Sequence, residues 1–332
     1  MLYRQMGKNG EQVSSLSFGC MRLPKKGRGV DEERAARQII SAIDQGVNYF
    51  DTAQMYHLGK GESIVGNILA QGYRNKVKLA TKMHPLTVNS RKDMDNALEI
   101  QLKKLRTDHI DYYLIHALMA MQGWQKFKQL GVEDFLETAK KAGKIGHVGF
   151  SFHGNRVEFK SIIDDYPWEF CQIMYNFLDE DNQAGKEGLQ YAAGKGLGVV
   201  VMEPLRGGHL IGKMPPQIQA IWDRAPQKRT PADWALRWVW NHPEVSVVLS
   251  GMNEESHIAE NIATAGSAYP QPLKKDELTI IAEVKAALTK SIKVGCTGCS
   301  YCMPCPNGVN IPFCFQSYNS KHLFKDRVYQ FT

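Results

Sequence analysis

Eight short apolar runs, each followed by a segment of helical periodicity, restrict the fold of this chain more than any other feature. The runs are SLSFGCM from Ser15, VNYFDTA from Val47, VKLATKM from Val77 and IDYYLIHA from Ile110. They continue with IGHVGFSF from Ile145, FCQIMYN from Phe170, GLGVVVMEP from Gly196 and SVVLSGM from Ser246. All are rich in β-branched and aromatic residues, which suits strands buried on both faces, as parallel strands are. Between them, DEERAARQIISAIDQG offers Asp31 as an N-cap, an apolar face of Ala36, Ile39, Ile40 and Ile43, and Gly46 as a terminator. TPADWALRWVWNHP offers Thr230 as an N-cap, Pro231 at the first helical position and Asp233 in capping-box style, and stops before Pro243. Strand–helix alternation repeated eight times predicts an α/β chain folded as a (β/α)8 TIM barrel. A doubly wound open sheet is the competing reading. It calls for a glycine-rich turn after the first strand, where this chain has MRLPKKGRG.

In LYRQMGKNGEQVS an Asn-Gly pair, Asn9 and Gly10, lies between strand-like residues. It predicts an N-terminal β-hairpin that plugs the barrel bottom. Composition shifts at SAYPQPLKK, residues 267–275, and a helix pattern and a cysteine run follow. The expected division is a barrel over 1–270 and a small helical, ferredoxin-like cysteine-rich segment over 271–332. The formal charge of +7 is spread along the chain, which disfavours nucleic acid as partner and suits an anionic cofactor. The N-terminus has no apolar signal core, and no window approaches the roughly eighteen apolar residues of a membrane span. The expected location is the cytoplasm, without membrane association.

Active sites of such barrels sit at the C-terminal ends of the strands. There the chain places Asp51, Tyr56 in the loop that follows, Lys82 and His116, from three consecutive strand ends. Each has a plain reading alone: a helix cap, a surface tyrosine, a solvated lysine, a satisfied histidine. Together they form a proton-donating set. A tyrosine of ordinary pKa about 10 is a poor acid at neutral pH. A neighbouring ammonium lowers that value, an aspartate holds the ammonium, and a histidine orients a carbonyl oxygen.

At these residues the sequence resembles the aldo-keto reductase superfamily. The resemblance spans residues 1–265 and is carried by FDTAQMYHLGKGESIVGNIL, ATKMHP, DYYLIHAL, GFSFH, CQIMYN, PLRGGHLIGK and LSGMNEESHIAENI. It implies a catalytic tetrad of Asp51, Tyr56, Lys82 and His116, and NAD(P)H-dependent reduction of an aldehyde or ketone with Tyr56 as general acid. It further implies that Ser151 and Gln172 bond the carboxamide of NADP or NAD. The PLRGG loop, with Pro204, Leu205 and Gly207, closes over the pyrophosphate with Lys213 as charge partner. Glu260 and Asn261 match the adenine end, and Met21, Asp51, Met202, Gly251, Asn253 and His257 complete the expected contacts. Three positions depart from the pattern. Phe152 stands where the family has asparagine, and Met202 where it often has an aromatic. Gly251 and His257 replace the Lys and Arg that grip a 2′-phosphate, which makes NADH use plausible. His84, Trp124 and the C-terminal segment are the candidates for the substrate pocket.

Four of the seven cysteines, Cys296, Cys299, Cys302 and Cys305, recur every third residue and precede Pro306. The run resembles the bacterial C-x2-C-x2-C-x3-C-P motif that wraps a [4Fe–4S] cluster, with a last gap of two rather than three. Zinc is the alternative, although its sites usually split into two separated knuckles. A disulfide framework does not suit the cytoplasm. A subgroup of aldo-keto reductases looks like this chain, often with two such runs. The segment is therefore expected to be a truncated or single-cluster form, in which Cys314 could supply a ligand. Cys20 and Cys171 fall in strand patterns as core thiols. The expected partners are a small carbonyl substrate and an electron-transfer protein. The competing function is a regulatory or electron-transfer protein that uses barrel-bound nicotinamide as a redox signal.

Overall fold

A computed structural model describes residues 1–212, 214–296, 302–303 and 305–324. Each of the eight apolar runs contributes a strand: β1 Leu16–Gly19, β2 Tyr49–Asp51, β3 Lys78–Met83, β4 Ile110–Leu118, β5 Ile145–Phe152, β6 Phe170–Met174, β7 Gly198–Met202 and β8 Val247–Ser250. They pair in parallel in chain order and close, β8 against β1, into a barrel, which excludes the open sheet. Helices follow the strands and bury their apolar faces in one continuous core around the barrel.

The interior of a small barrel is filled by every second residue of each strand. Here Tyr49, Ala80, Tyr112, Leu114, Phe170, Val200, Val247 and Leu249 fill it, joined by Met6 and Val13 from the N-terminal hairpin. That hairpin pairs Tyr3–Gln5 with Gln12–Ser14 and lies at the bottom, as its sequence predicts. Gly7 has φ +57° and sits so close to β7 that a Cβ there would lie 2.4 Å from the Gly198 nitrogen. The Glu11 carboxylate meets Lys78, Tyr112 and His147 at the starts of β3, β4 and β5.

Helix α1, Glu32–Asp44, is capped by Asp31, whose side chain accepts from the Arg34 nitrogen at 3.1 Å. Its buried face is Ala35, Gln38, Ile39, Ala42 and Ile43, one position away from the predicted Ala36–Ile40 face. Gln38 is the reason. Its Nε2 donates to the Asn253 carbonyl at 3.2 Å, so a polar residue occupies the inner face. The Thr230 cap is present, but the Asp233 carboxylate pairs with Arg237 instead of completing a capping box.

Past residue 270, the helix Lys275–Lys290 packs on the helix Pro216–Trp222, and its Ile281, Val284 and Leu288 join the main core. Asn319, in the helix Ile311–Phe324, accepts from the Lys293 and Val294 nitrogens at 3.0 Å each and donates to the Val294 carbonyl. Among the described residues, no helix is long and apolar enough to cross a membrane.

Candidate active site

The two-residue period that fills the barrel also builds its mouth. Tyr49 points inward, so Asp51 does too; Ala80 is followed in the same sense by Lys82, Leu114 by His116, Phe170 by Gln172 and Val200 by Met202. A register shift between Ile115 and Leu118, with Ala117 at φ +52°, interrupts β4 at His116. Such bulges re-aim a side chain.

The structure brings all four tetrad candidates together. Lys82 Nζ donates to Asp51 Oδ1 at 2.6 Å, to the Thr52 carbonyl at 2.8 Å and to the Tyr56 hydroxyl at 3.5 Å. Lys82 and Asp51 are buried. The Tyr56 and His116 rings meet edge-on at 6.4 Å between centroids. Burial works against the Lys82 ammonium, but Asp51 and Tyr56 outweigh it and hold its pKa above the ordinary lysine value. Burial raises the Asp51 carboxyl against the pull of Lys82. The Tyr56 phenol also lies above its ordinary value, which corrects the expectation of a lowered one. Lys82 acts in the predicted direction, but burial acts more strongly. His116 is pushed down to about 2 by burial and by Lys82, His84 and His153, so its imidazole is neutral.

Sequence reasoning missed the frame behind this set. Gln101 Nε2 donates to the Lys82 carbonyl at 2.9 Å and to Glu62 Oε1 at 2.8 Å. Thr81 donates to the same Glu62 oxygen, and Tyr113 to Gln101 Oε1. All four frame residues are fully buried, and together they lock β3 in place. Backbone strain was also invisible in the sequence. His57, Leu58, Ala117, Glu203 and Arg206 all adopt φ near +50° at the mouth, a region that non-glycine residues enter at a cost of order 1–3 kcal/mol each. His84 lies against His116, with ring centroids 5.2 Å apart. Trp124 does not reach the mouth. It is fully buried and donates to Asp165 from its indole nitrogen, which removes it from the pocket candidates.

The other cofactor candidates occupy the β5–β8 side. Ser151 accepts from the Ala117 nitrogen at 2.7 Å. Gln172 Nε2 contacts Met202 Sδ at 3.7 Å, while its buried Oε1 has no partner. Phe152 is fully buried and packs onto Phe159, away from the barrel interior. In the loop after β7, buried Pro204 and partly buried Leu205 lead into Gly207 and Gly208 at φ +66° and +97°. Arg22, beside Met21, donates to the Gly207 carbonyl at 2.9 Å and packs along Gly251. Asn253 and His257 are partly exposed at the end of β8 and in the helix Glu255–Ala265. Asn261 is buried and donates to Ser250 at 3.0 Å, and Glu260 accepts from Thr230. Lys213 and Cys299 lie outside the described residues. The unmatched Gln172 Oε1 fits a carboxamide, and the open space at Gly208, with no atom within 4 Å of where a Cβ would stand, fits the approach of a diphosphate. Cys20 and Cys171 are buried core thiols, and Cys296, Cys302, Cys305 and Cys314 are free. Among the described residues, no group of three or more potential ligands is placed to hold a metal.

The Aldo/keto reductase family model matches residues 15–286. An uncharacterized oxidoreductase, YrpG, from Bacillus subtilis is 33% identical over 236 residues, 64% of this chain and 69% of the relative. A 6-dehydroglucose reductase from Novosphingobium aromaticivorans is 28% identical, over 78% of this chain and 88% of its own length. Among solved structures, the holo form of aldo-keto reductase AKR11C1 from Bacillus halodurans superposes with a TM-score of 0.70 at 26% identity. That match covers 86% of this chain and 96% of the other.

Proposed function

Because this chain belongs to the aldo/keto reductase family and is an NAD(P)H-dependent aldo-keto reductase, we propose that its reaction runs at Asp51, Tyr56, Lys82 and His116. The observation that carries this reading is the buried Lys82 ammonium, 2.6 Å from Asp51 and 3.5 Å from the Tyr56 hydroxyl. Reduced nicotinamide, when bound, would supply the hydride that the carbonyl carbon takes up. Tyr56 gives its proton to the carbonyl oxygen, so the substrate leaves as an alcohol and the phenol becomes a phenolate. The Lys82 ammonium stabilises that phenolate, and Asp51 keeps the ammonium charged and in place. Neutral His116 orients the carbonyl oxygen by a hydrogen bond. Ser151 and Gln172 would hold the carboxamide, and the 204–208 loop the diphosphate. With Gly251 and His257 where a fixed cation would grip a 2′-phosphate, the site would not be strict for NADPH, and NADH could serve. Tyr56→Phe should lower turnover by about 10²–10⁴-fold and leave cofactor affinity, read by fluorescence titration, unchanged. Equal turnover would end the proposed role of Tyr56.

The finer reading assigns residues 271–332 as a segment appended to the barrel, in a cytoplasmic protein, with Cys296, Cys299, Cys302 and Cys305 around a [4Fe–4S] cluster. Zinc is the alternative. The support is the cysteine spacing and the absence of disulfides at Cys296, Cys302 and Cys305. Such a cluster would staple the segment or pass single electrons to a partner protein. Anaerobic purification should give about four irons and four sulfides per chain. One zinc without iron would reduce the segment to a structural clip.

A further inference from the structure

Three loops begin directly at tetrad residues, and they share a composition. Residues 52–59, 83–90 and 117–120, counting the strand ends, contain no Asp, Glu, Lys or Arg, in a chain that is 23% charged. The loops follow β2, β3 and β4, which are neighbours in the barrel, and they are tied together. Thr87 donates to Gln54 Oε1 at 3.2 Å, and His84 meets His116 edge-on. They therefore form one arc over one side of the mouth, while Ser151, Gln172, Met202 and Gly251 stand on the β5–β8 side.

The arc presents apolar side chains to solvent. Leu58 is 98% exposed, Leu86 82%, Met119 60% and Met55 53%. Leu58 is also held at φ +56° beside His57 at +53°, a conformation a leucine rarely adopts. Scattered exposed apolar residues are ordinary, but a group that rims a catalytic cleft marks a binding surface. Above the buried Lys82–Asp51 pair stand two histidines that are polar and uncharged. His84 Nδ1 accepts from the Leu86 nitrogen at 3.2 Å, which places its proton on Nε2. Burial lowers the pKa of both His84 and His116, so both are neutral donors or acceptors near pH 7.

We infer that the substrate is a bulky, uncharged carbonyl compound, aromatic or branched aliphatic, whose apolar body lies against Leu58, Leu86, Met119 and Met55 with its carbonyl at His116. This rests on the reductase reading above. A keto acid finds no cation in the three loops. A small polyol leaves the apolar rim in water.

The test is steady-state kinetics on the full chain with 4-nitrobenzaldehyde, 4-carboxybenzaldehyde and glyceraldehyde, in wild type and Leu58→Ser. Intrinsic reactivity differs among these aldehydes, so the deciding quantity is how the substitution changes their ratio. The kcat/KM ratio of 4-nitrobenzaldehyde to glyceraldehyde should fall about tenfold, the effect of one lost apolar contact in a pocket. The 4-carboxy compound should have at least a tenfold higher KM than the 4-nitro compound. A preference for the carboxylate or for glyceraldehyde overturns the inference and leaves the reductase reading standing. So does a uniform loss across all three substrates, or a change in sedimentation with unchanged KM, which would make the arc a protein contact. No turnover of any aldehyde despite bound cofactor would overturn both readings.

Discussion

The two ends of the barrel each carry a cluster of titratable side chains, and only one cluster is complete. At the bottom, Glu11 joins Lys78, Tyr112 and His147, and His147 also meets Glu169 at 2.6 Å. None of these five has a buried side-chain atom without a partner, and in the bottom cluster only the neighbouring Tyr49 hydroxyl, packed on Tyr112, lacks one among the described residues. At the top, Asp51 Oδ2, Thr52 Oγ1, His116 Nδ1 and Gln172 Oε1 are all buried and unmatched. Buried polar groups are nearly always hydrogen-bonded, because an unmet one costs about 1–3 kcal/mol. Five strained φ angles gather at the same end. The bottom is built to hold the fold together. The top retains strain and open valences that a bound ligand would relieve, in line with the division of labour in such barrels.

Lys82→Met breaks this comparison most forcefully. It leaves Asp51 buried without its counter-ion, a loss of about 3–5 kcal/mol when one partner of a buried pair is removed. Turnover should fall with it by about 10²–10⁴-fold, since the phenolate of Tyr56 loses its stabilising charge. Thermal unfolding and single-turnover rates on the same preparation report the two effects. If stability falls and the rate does not, Lys82 belongs with the structural cluster.

The pH dependence of stability separates the ends next. Hydrogen bonds to Glu11 and then to Glu169 raise His147 to about 9, above its unfolded value near 6.5. Its contribution is fully present below 6.5 and is lost as pH rises through 9. Glu11, lowered to about 2 chiefly by His147, contributes above its unfolded value near 4.5 and loses that as pH falls towards 2. The melting temperature should therefore decline on both sides of pH 4.5–6.5. His147→Gln should flatten the alkaline decline between pH 6.5 and 9 while the rate at 25 °C stays within about twofold. An unchanged alkaline limb would show that the bottom cluster does not govern it.

The sequence made the two ends unequally legible. The strands were readable because parallel strands are apolar throughout, and the tetrad because each member is a polar residue closing an apolar run. The hairpin plug followed from an Asn-Gly turn, but its Glu11 anchor had no local signal, since Lys78, Tyr112 and His147 lie far along the chain. Burial was the main quantity hidden from view. It reversed the expected direction for Tyr56, removed Trp124 from the mouth and turned α1 by one residue on Gln38. Strain at His57, Leu58 and Ala117 was equally hidden, because none of these positions is glycine. The cysteine run was readable as spacing alone.

The smallest effect distinguishes the ends most finely. Gln172 is buried, its Oε1 has no partner, and its Nε2 reaches only a methionine sulfur at 3.7 Å. Replacing a buried, poorly bonded amide by an apolar group of similar size is close to neutral for stability, or favourable. Gln172→Leu should thus leave the melting temperature of the cofactor-free protein unchanged or raise it. Bound nicotinamide would lose one amide hydrogen bond, so its Kd should rise about five- to tenfold, a free-energy change of roughly 1–1.4 kcal/mol. Calorimetric titration with NADPH and NADH, beside a thermal scan, measures both. Tyr112→Phe is the matched change at the bottom, because it removes a bond that is already made to Glu11. It should lower the melting temperature and leave the Kd unchanged. If Gln172→Leu instead destabilises the free protein as much as Tyr112→Phe does, the open valence at the top is a structural contact, and the distinction between the two ends fails at the cofactor side.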